Sequence, residues 1–158
     1  VSYLLSLKST ELPNDPLVEF AGTLGPTQNE LNAGAYDWKM LNTVGYTFGK
    51  WSTALQWQHL PSIDSITAAT NSATTIAGAG SYDLFNLSGS FAFTDNAVIR
   101  FGIDNVFDEA PPILERNVDP NLAPFLLPGG TFGGANASNP ALYDFIGRRF
   151  FFLAQMKF

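Results

Sequence analysis

The sequence has no cysteine, a single histidine and few charges: 8 Lys+Arg and 14 Asp+Glu in 158 residues, 14% charged beside 46% hydrophobic. Soluble domains usually carry about 25% charged residues, so much of the solubilising charge has been given up. Without cysteine, a disulfide scaffold, a Cys-based structural zinc site and a thiol nucleophile are excluded. A net charge of −6 with no basic stripe argues against nucleic acid, whose phosphates demand clustered cations. There is no run of about 18 apolar residues, hence no candidate transmembrane helix. The opening Val1-Ser2-Tyr3-Leu4-Leu5-Ser6-Leu7-Lys8 has neither an initiator Met nor the order of a signal peptide. It reads as mid-strand, and the expectation is a piece cut from something longer.

What the chain does have is period-two alternation. All ten prolines fall outside, or at the very end of, six alternating segments at about 1–8, 37–48, 51–61, 82–93, 97–106 and 145–158, as expected of a residue that cannot donate to a sheet ladder. In 51–61, Trp51, Thr53, Leu55 and Trp57 fall on one face and Ser52, Ala54, Gln56 and Gln58 on the other. In 82–93, Phe85, Leu87, Gly89, Phe91 and Phe93 oppose Leu84, Asn86, Ser88, Ser90 and Ala92; in 97–104, Ala97, Ile99, Phe101 and Ile103 oppose Arg100, Gly102 and Asp104. The last segment is a noisier version, with Phe150, Phe152, Ala154, Met156 and Phe158 on its apolar side. One face is bulky and apolar, the other small and polar.

Loop lengths decide the architecture. Two connections are tight, at Gly49-Lys50 and Thr94-Asp95-Asn96. The other three run about 20 to 38 residues, far beyond the usual median of about 4–6. Short turns at one end and long loops at the other are the layout of an outer-membrane barrel. A strand of about 12 residues tilted about 45° stands roughly 28 Å tall, enough for an apolar band of about 25 Å. Aromatics sit where interfacial girdles belong: Phe48, Trp51, Phe93 and Phe158 near the short turns or the chain end, Trp38, Trp57 and Tyr82 toward the long loops. A soluble β-sandwich shares the alternation and low charge but not the uneven loops. With the last strand ending at the periplasm, every short turn lands on the periplasmic side. Six such strands cannot close alone, since small barrels need about eight.

The stretch from Arg100 through Gly102-Ile103-Asp104-Asn105-Val106-Phe107-Asp108 to Pro111-Pro112 resembles the penultimate-strand signature of TonB-dependent outer-membrane receptors, G-x-x-N-L-F-D followed by Pro, with Val106 in place of Leu. The ending from Tyr143 through Gly147-Arg148-Arg149-Phe150 to Lys157-Phe158 is similar to their last strand. The resemblance covers about the last 60 residues directly and implies strands 17 to 22 of a barrel of roughly 22 strands, residues 1–158 being the C-terminal part without plug or TonB box. The fold class expected is therefore all-β, an antiparallel transmembrane β-barrel segment in the bacterial outer membrane. The function implied is import of a scarce nutrient, a siderophore, haem, cobalamin or oligosaccharide, driven through the TonB complex, with no enzymatic activity and no cofactor. The alternatives are a passive porin or an autotransporter translocator barrel, and, as a third reading, a soluble β-sandwich binding module. Implied partners are outer-membrane lipid and lipopolysaccharide, TonB by way of the N-terminal region this chain lacks, the barrel assembly machinery and a small-molecule substrate. Phe158 would be the assembly signal, or else an ordinary packed ring of the girdle.

Among single residues, Asp104 and Asn105 read as caps at a strand exit rather than metal ligands. His59 has no second His or Cys for a transition-metal site and no place in a Ser/His/Asp arrangement. The glycine-rich stretch 128–134 lacks the Lys-Ser/Thr ending of a phosphate loop. Lumen-facing candidates are Lys39, Gln56, Gln58, Asn86, Arg100, Asp104, Arg149 and Gln155. The long loops carry Glu11, Asp15, Glu19, Glu30, Asp64, Asp108, Glu109, Glu115, Asp119 and Asp144 against only Arg116, a net of −9. That acidity would disfavour strongly anionic substrates and admit divalent cations, or be a solvated surface with no binding role.

Overall fold

A computed structural model of the chain describes residues 1–10, 13–24, 35–73, 78–112 and 143–157. The elements in order are β1 (Ser2–Tyr3), β2 (Lys8–Ser9), β3 (Val18–Glu19), β4 (Thr23–Leu24), β5 (Trp38–Phe48), β6 (Trp51–Leu60), β7 (Asp64–Ser65), a 3₁₀ turn (Ile66–Ala69), β8 (Tyr82–Thr94), β9 (Ala97–Asp104) and β10 (Arg149–Met156). Among the described residues the fold is all-β, and apart from the parallel pair β4–β7 and the isolated parallel bridge of Ala21 to Ala35 the strands pair antiparallel. The main sheet has the neighbour order β1-β5-β6-β8-β9-β10. It is open: among the described residues β10 has no strand partner other than β9.

The chain divides into two compact units, one of Val1–Lys39, Leu60–Tyr82 and Pro111–Asp144, the other of Met40–His59, Asp83–Ala110 and Phe145–Phe158. The second is a sheet of long strands in simple up-and-down succession. Its first hairpin closes through Gly49-Lys50 between the paired Phe48 and Trp51, with Gly49 at φ +57° and no positive φ at Lys50. That is the sign pattern of a type II′ turn, whose twist suits flanking strands and which asks for glycine first. The next hairpin turns on Asp95-Asn96, one residue tighter than expected, because Thr94 pairs with Ala97. A bulge between Ala92 and Thr94 absorbs the difference, leaving Phe93 outside the regular register.

Three expected segments are shorter than their alternation suggested. Residues 1–8 are not one strand: Ser2 and Tyr3 pair with Lys39 and Trp38, whereas Lys8 and Ser9 turn away to pair with Glu19 and Val18. The cause is local, since the Glu19 carboxylate accepts the Ser6 hydroxyl and the Leu7 amide and so captures this stretch for β3. The final strand starts at Arg149 instead of 145, after Gly147 at φ +75°. Likewise β9 stops at Asp104 because Asn105 adopts φ +53°, a left-handed conformation that a strand cannot continue.

Buried apolar residues belong almost entirely to the first unit: Phe20, Leu24, Tyr36, Leu60, Ile63, Ala79, Tyr82 and Tyr143, with Leu84 the exception. The long loops therefore bring a core of their own. It forms around short pairings, β4 with β7 and the bridge of Ile63 to Ala79, the latter closed by two backbone hydrogen bonds.

Candidate functional site

The register places the bulky residues of five strands on one face of the sheet unit. Val44, Tyr46 and Phe48 of β5 stand opposite Leu55, Thr53 and Trp51 of β6; Phe91, Gly89 and Leu87 of β8 oppose Ile99, Phe101 and Ile103 of β9; Phe150, Phe152 and Ala154 of β10 continue the same face. This face is uncovered, and in β5 and β10 the other face is exposed as well. In β6, Trp51, Thr53 and Leu55 are exposed while Ser52, Ala54 and Gln56 are half-buried, the inverse of a soluble sheet. Val44, Phe48, Phe150 and Phe152 are each about 70% exposed. Rings tile the surface: Trp51 meets Phe91 at 4.4 Å and Phe91 meets Phe93 edge-on at 4.6 Å near the short turns, while Trp57 stacks on Phe85 at 5.8 Å toward the other end. A groove of about 520 Å³ runs along this face, lined by Tyr46, Phe48, Trp51, Thr53, Leu87, Gly89, Phe101, Ile103 and Phe150 among others.

The opposite face carries a run of amides. Asn86 Nδ2 donates to Gln56 Oε1 (3.2 Å), and Asn86 Oδ1 accepts the backbone amide of Asn105 (2.9 Å). Asn105, 1% exposed, donates from Nδ2 to the Glu109 carbonyl and accepts the Glu109 amide at Oδ1. Asp108, at φ +58°, accepts the Arg148 amide at 2.8 Å, which ties the exit of β9 to the entry of β10. Asp104 lies 3.6 Å from Arg149 across the same pair of strands, both about two-fifths exposed, a contact of little energetic weight. The signature residues Asp104, Asn105, Asp108, Gly147, Arg148 and Arg149 thus come together at one strand exit, and Gly102 lies close under the Phe151 ring and the Leu87 carbonyl. Phe107, 68% exposed, meets Phe85 edge-on at 5.2 Å.

The lumen candidates do not converge on one site. Gln56 and Asn86 share the amide run, whereas Arg100 is exposed opposite Leu153, Gln155 pairs with Val98 near the other end, and Gln58 stands opposite Leu41. Lys39 is exposed beside Ser2 in the first unit. Phe158, the stretch 128–134 and Glu11, Glu30, Glu115, Arg116 and Asp119 lie outside the described residues. Among the described residues no three His, Asp or Glu side chains gather as metal ligands, and no helix is long and apolar enough to cross a membrane.

A cluster that the sequence reading did not find stands at the long-loop end of the apolar face. Asp83 Oδ1 accepts Trp57 Nε1 (2.7 Å) and His59 Nδ1 (2.8 Å). An ionised carboxylate only accepts, so Nδ1 carries the proton. The signal was present: Asp83 shares the parity of Phe85 and Leu87, and Trp57 and His59 are two apart on one face. In the first unit, hydrogen bonds from Ser6, Leu7 and Ala21, with nearby Lys8, hold the Glu19 carboxyl below its usual range. The hydroxyls of Tyr36 and Tyr143 are hydrogen-bonded to each other, with Tyr82 edge-on to Tyr143 at 5.3 Å. Burial, reinforced at Tyr36 by the Tyr143 contact, raises the pKa of Tyr36 far above the usual phenol value; burial also raises that of Tyr143.

Compared with known families, curated proteins and solved structures, the chain matches no family model, no curated protein and no solved structure.

Proposed function

We propose that this chain is the C-terminal six-strand part of a TonB-dependent outer-membrane receptor of a bacterium, a non-enzymatic transporter that imports a scarce nutrient such as a siderophore, haem, cobalamin or an oligosaccharide. The observation that carries the reading is the bare, ring-bearing side of the sheet: Val44, Phe48, Phe150 and Phe152 are each about 70% exposed, and in β6 the bulky side is the more exposed of the two. A soluble sandwich would lay a second sheet on that apolar face. Lipid covers it without one, and a strand edge in lipid calls for further strands to close the ladder. What favours the receptor family over a passive porin is the sequence resemblance around Asn105 and Asp108, residues that form one compact clasp at the exit of β9. The TonB complex, the barrel assembly machinery and lipopolysaccharide are the partners this reading entails.

Refolding the chain with and without detergent, followed by light scattering and circular dichroism, tests it. Aggregation in buffer with β-structure recovered only in micelles is expected. A dispersed β-rich monomer in plain buffer would overturn the membrane reading.

A further inference from the structure

The apolar groove is not a uniform lipid-facing surface. It is formed where small Thr53 and Gly89 sit between Phe48, Trp51, Leu87 and Phe101, with the Phe101 ring lying against the position a Cβ on Gly89 would take (2.8 Å). Its volume, about 520 Å³, falls within the range of about 300–1,000 Å³ typical of small-molecule sites. The lining offers rings and aliphatic carbon almost throughout, chemistry that suits an extended hydrocarbon chain. Phe48 and Trp51, which flank one end, are the two residues joined by the Gly49-Lys50 turn.

Lys50 stands in that turn, next to the lining residue Trp51. Its Nζ donates to the Phe93 carbonyl at 2.8 Å, on the strand whose register the bulge has shifted. An ammonium has three donors, so two remain for another acceptor. Lys157 stands at this same end, its amide bonded to the Asn96 carbonyl in the neighbouring turn. The short-turn end of the sheet unit thus bears Lys50 and Lys157 against Asp95, whereas the opposite end bears Asp83, Asp104, Asp108 and Glu109 against Arg148 and Arg149. Anionic phosphate is favoured at the first end and repelled by the carboxylate excess at the second.

We propose that the groove with Lys50 is a seat for one anionic phospholipid, an acyl chain lying along Trp51, Thr53 and Gly89 and the phosphate held by the Lys50 ammonium. The inference rests on the membrane reading and adds an occupant of defined polarity and position, at the short-turn end only.

Trp51 lines the groove and reports on it directly. Protein refolded in micelles is titrated with phosphatidylglycerol or phosphatidylcholine brominated in the acyl chain, and tryptophan quenching is followed in the native chain, in Trp51→Phe and in Lys50→Gln. The Trp51-dependent quenching is expected at about fivefold lower mole fraction of the anionic lipid, the preference that one lysine at an anionic lipid surface supports. The preference should shrink in high salt and vanish in Lys50→Gln, whose turn glycine and ring contacts are untouched. Equal quenching by both head groups, or a preference that persists in Lys50→Gln, would overturn the seat while leaving lipid contact, and so the membrane reading, standing. No quenching by either brominated lipid would overturn both.

Discussion

Asn105 clasps the backbone of Glu109 with both ends of its amide, Nδ2 donating to the carbonyl at 2.9 Å and Oδ1 accepting the amide at 2.8 Å. Its own backbone amide goes to Asn86, and its φ of +53° is tolerated by Asn better than by most residues. Replacement by Ala removes the clasp and strains the backbone; replacement by Gly removes the clasp alone. Asn105→Ala should cost about 2–3 kcal/mol and Asn105→Gly less, since a buried group left unpaired costs about 1–3 kcal/mol. Denaturant midpoints in micelles check this, and equal losses for both variants would show that backbone strain plays no part.

Two glycines separate ring crowding from backbone crowding. The three atoms nearest a Cβ on Gly89 all belong to the Phe101 ring, whereas one on Gly102 would meet both the Phe151 ring and the Leu87 carbonyl at 2.6 Å. Each Gly→Ala substitution should destabilise by about 1–3 kcal/mol, the usual cost of overpacking. Adding Phe101→Leu should recover most of the Gly89→Ala loss. Adding Phe151→Leu should recover only part of the Gly102→Ala loss, because a backbone oxygen cannot step aside. Double-mutant cycles read the difference.

How much of this was legible beforehand depended on whether the signal was local. The spans of β5, β6 and β8 to within a residue, the start of β9 and the faces of all four followed from period-two alternation, because a strand's faces are fixed by the residues within it. Where the chain departed from that pattern, a single side chain decided: Glu19 drew residues 6–8 toward β3, and Asn105 and Gly147 ended β9 and delayed β10. The loop core stayed invisible because it is made of two-residue pairings and of contacts such as Tyr36 with Tyr143, 107 residues apart. Periodicity carries no information at that separation. Asp83 was readable from parity, since it shares the face of Phe85 and Leu87, but its pairing with Trp57 and His59 crosses to another strand and lies outside any local pattern.

Glu19 gives the first unit an acid-sensitive joint. Its folded pKa is lowered, chiefly by the Ser6 hydroxyl, then by the Leu7 amide, so its contribution is present above the carboxyl's ordinary pKa and is lost as pH falls through the depressed value. Amide hydrogen exchange at Leu7 and Ala21, corrected for intrinsic rates, should therefore become less protected at low pH, and Glu19→Ala should show the unprotected behaviour at neutral pH. Protection that is independent of pH down to the acid limit would contradict the joint.

The tyrosine pair acts at the other extreme. Both phenols have raised pKa values in the folded chain, so their contribution is intact below the ordinary phenol pKa of about 10 and is lost as pH rises through the folded values. Alkaline titration of tyrosinate absorbance should show two groups that ionise only with unfolding. Tyr36→Phe leaves the buried Tyr143 hydroxyl without this partner and should cost about 1–3 kcal/mol, while removing both hydroxyls should cost no more than removing one.

Neighbouring residues on β5 put the membrane reading to its sharpest test. Thr43 and Val44 are both exposed, sit side by side near the middle of the strand, and face opposite sides of the sheet. In water an arginine at either position projects into solvent, so both substitutions should be nearly neutral. In a bilayer the two sides differ: Val44→Arg places a guanidinium against lipid and should cost about 2–4 kcal/mol near the midplane, while Thr43→Arg faces the polar interior and should cost little. Folding of the two variants into lipid vesicles, compared by denaturant midpoint, measures the gap directly. A gap near zero in vesicles would mean that lipid does not cover the apolar face. The groove along Trp51 would then need a protein partner instead. A gap of the expected size, with Thr43→Arg unaffected, would assign the two faces independently of any family resemblance.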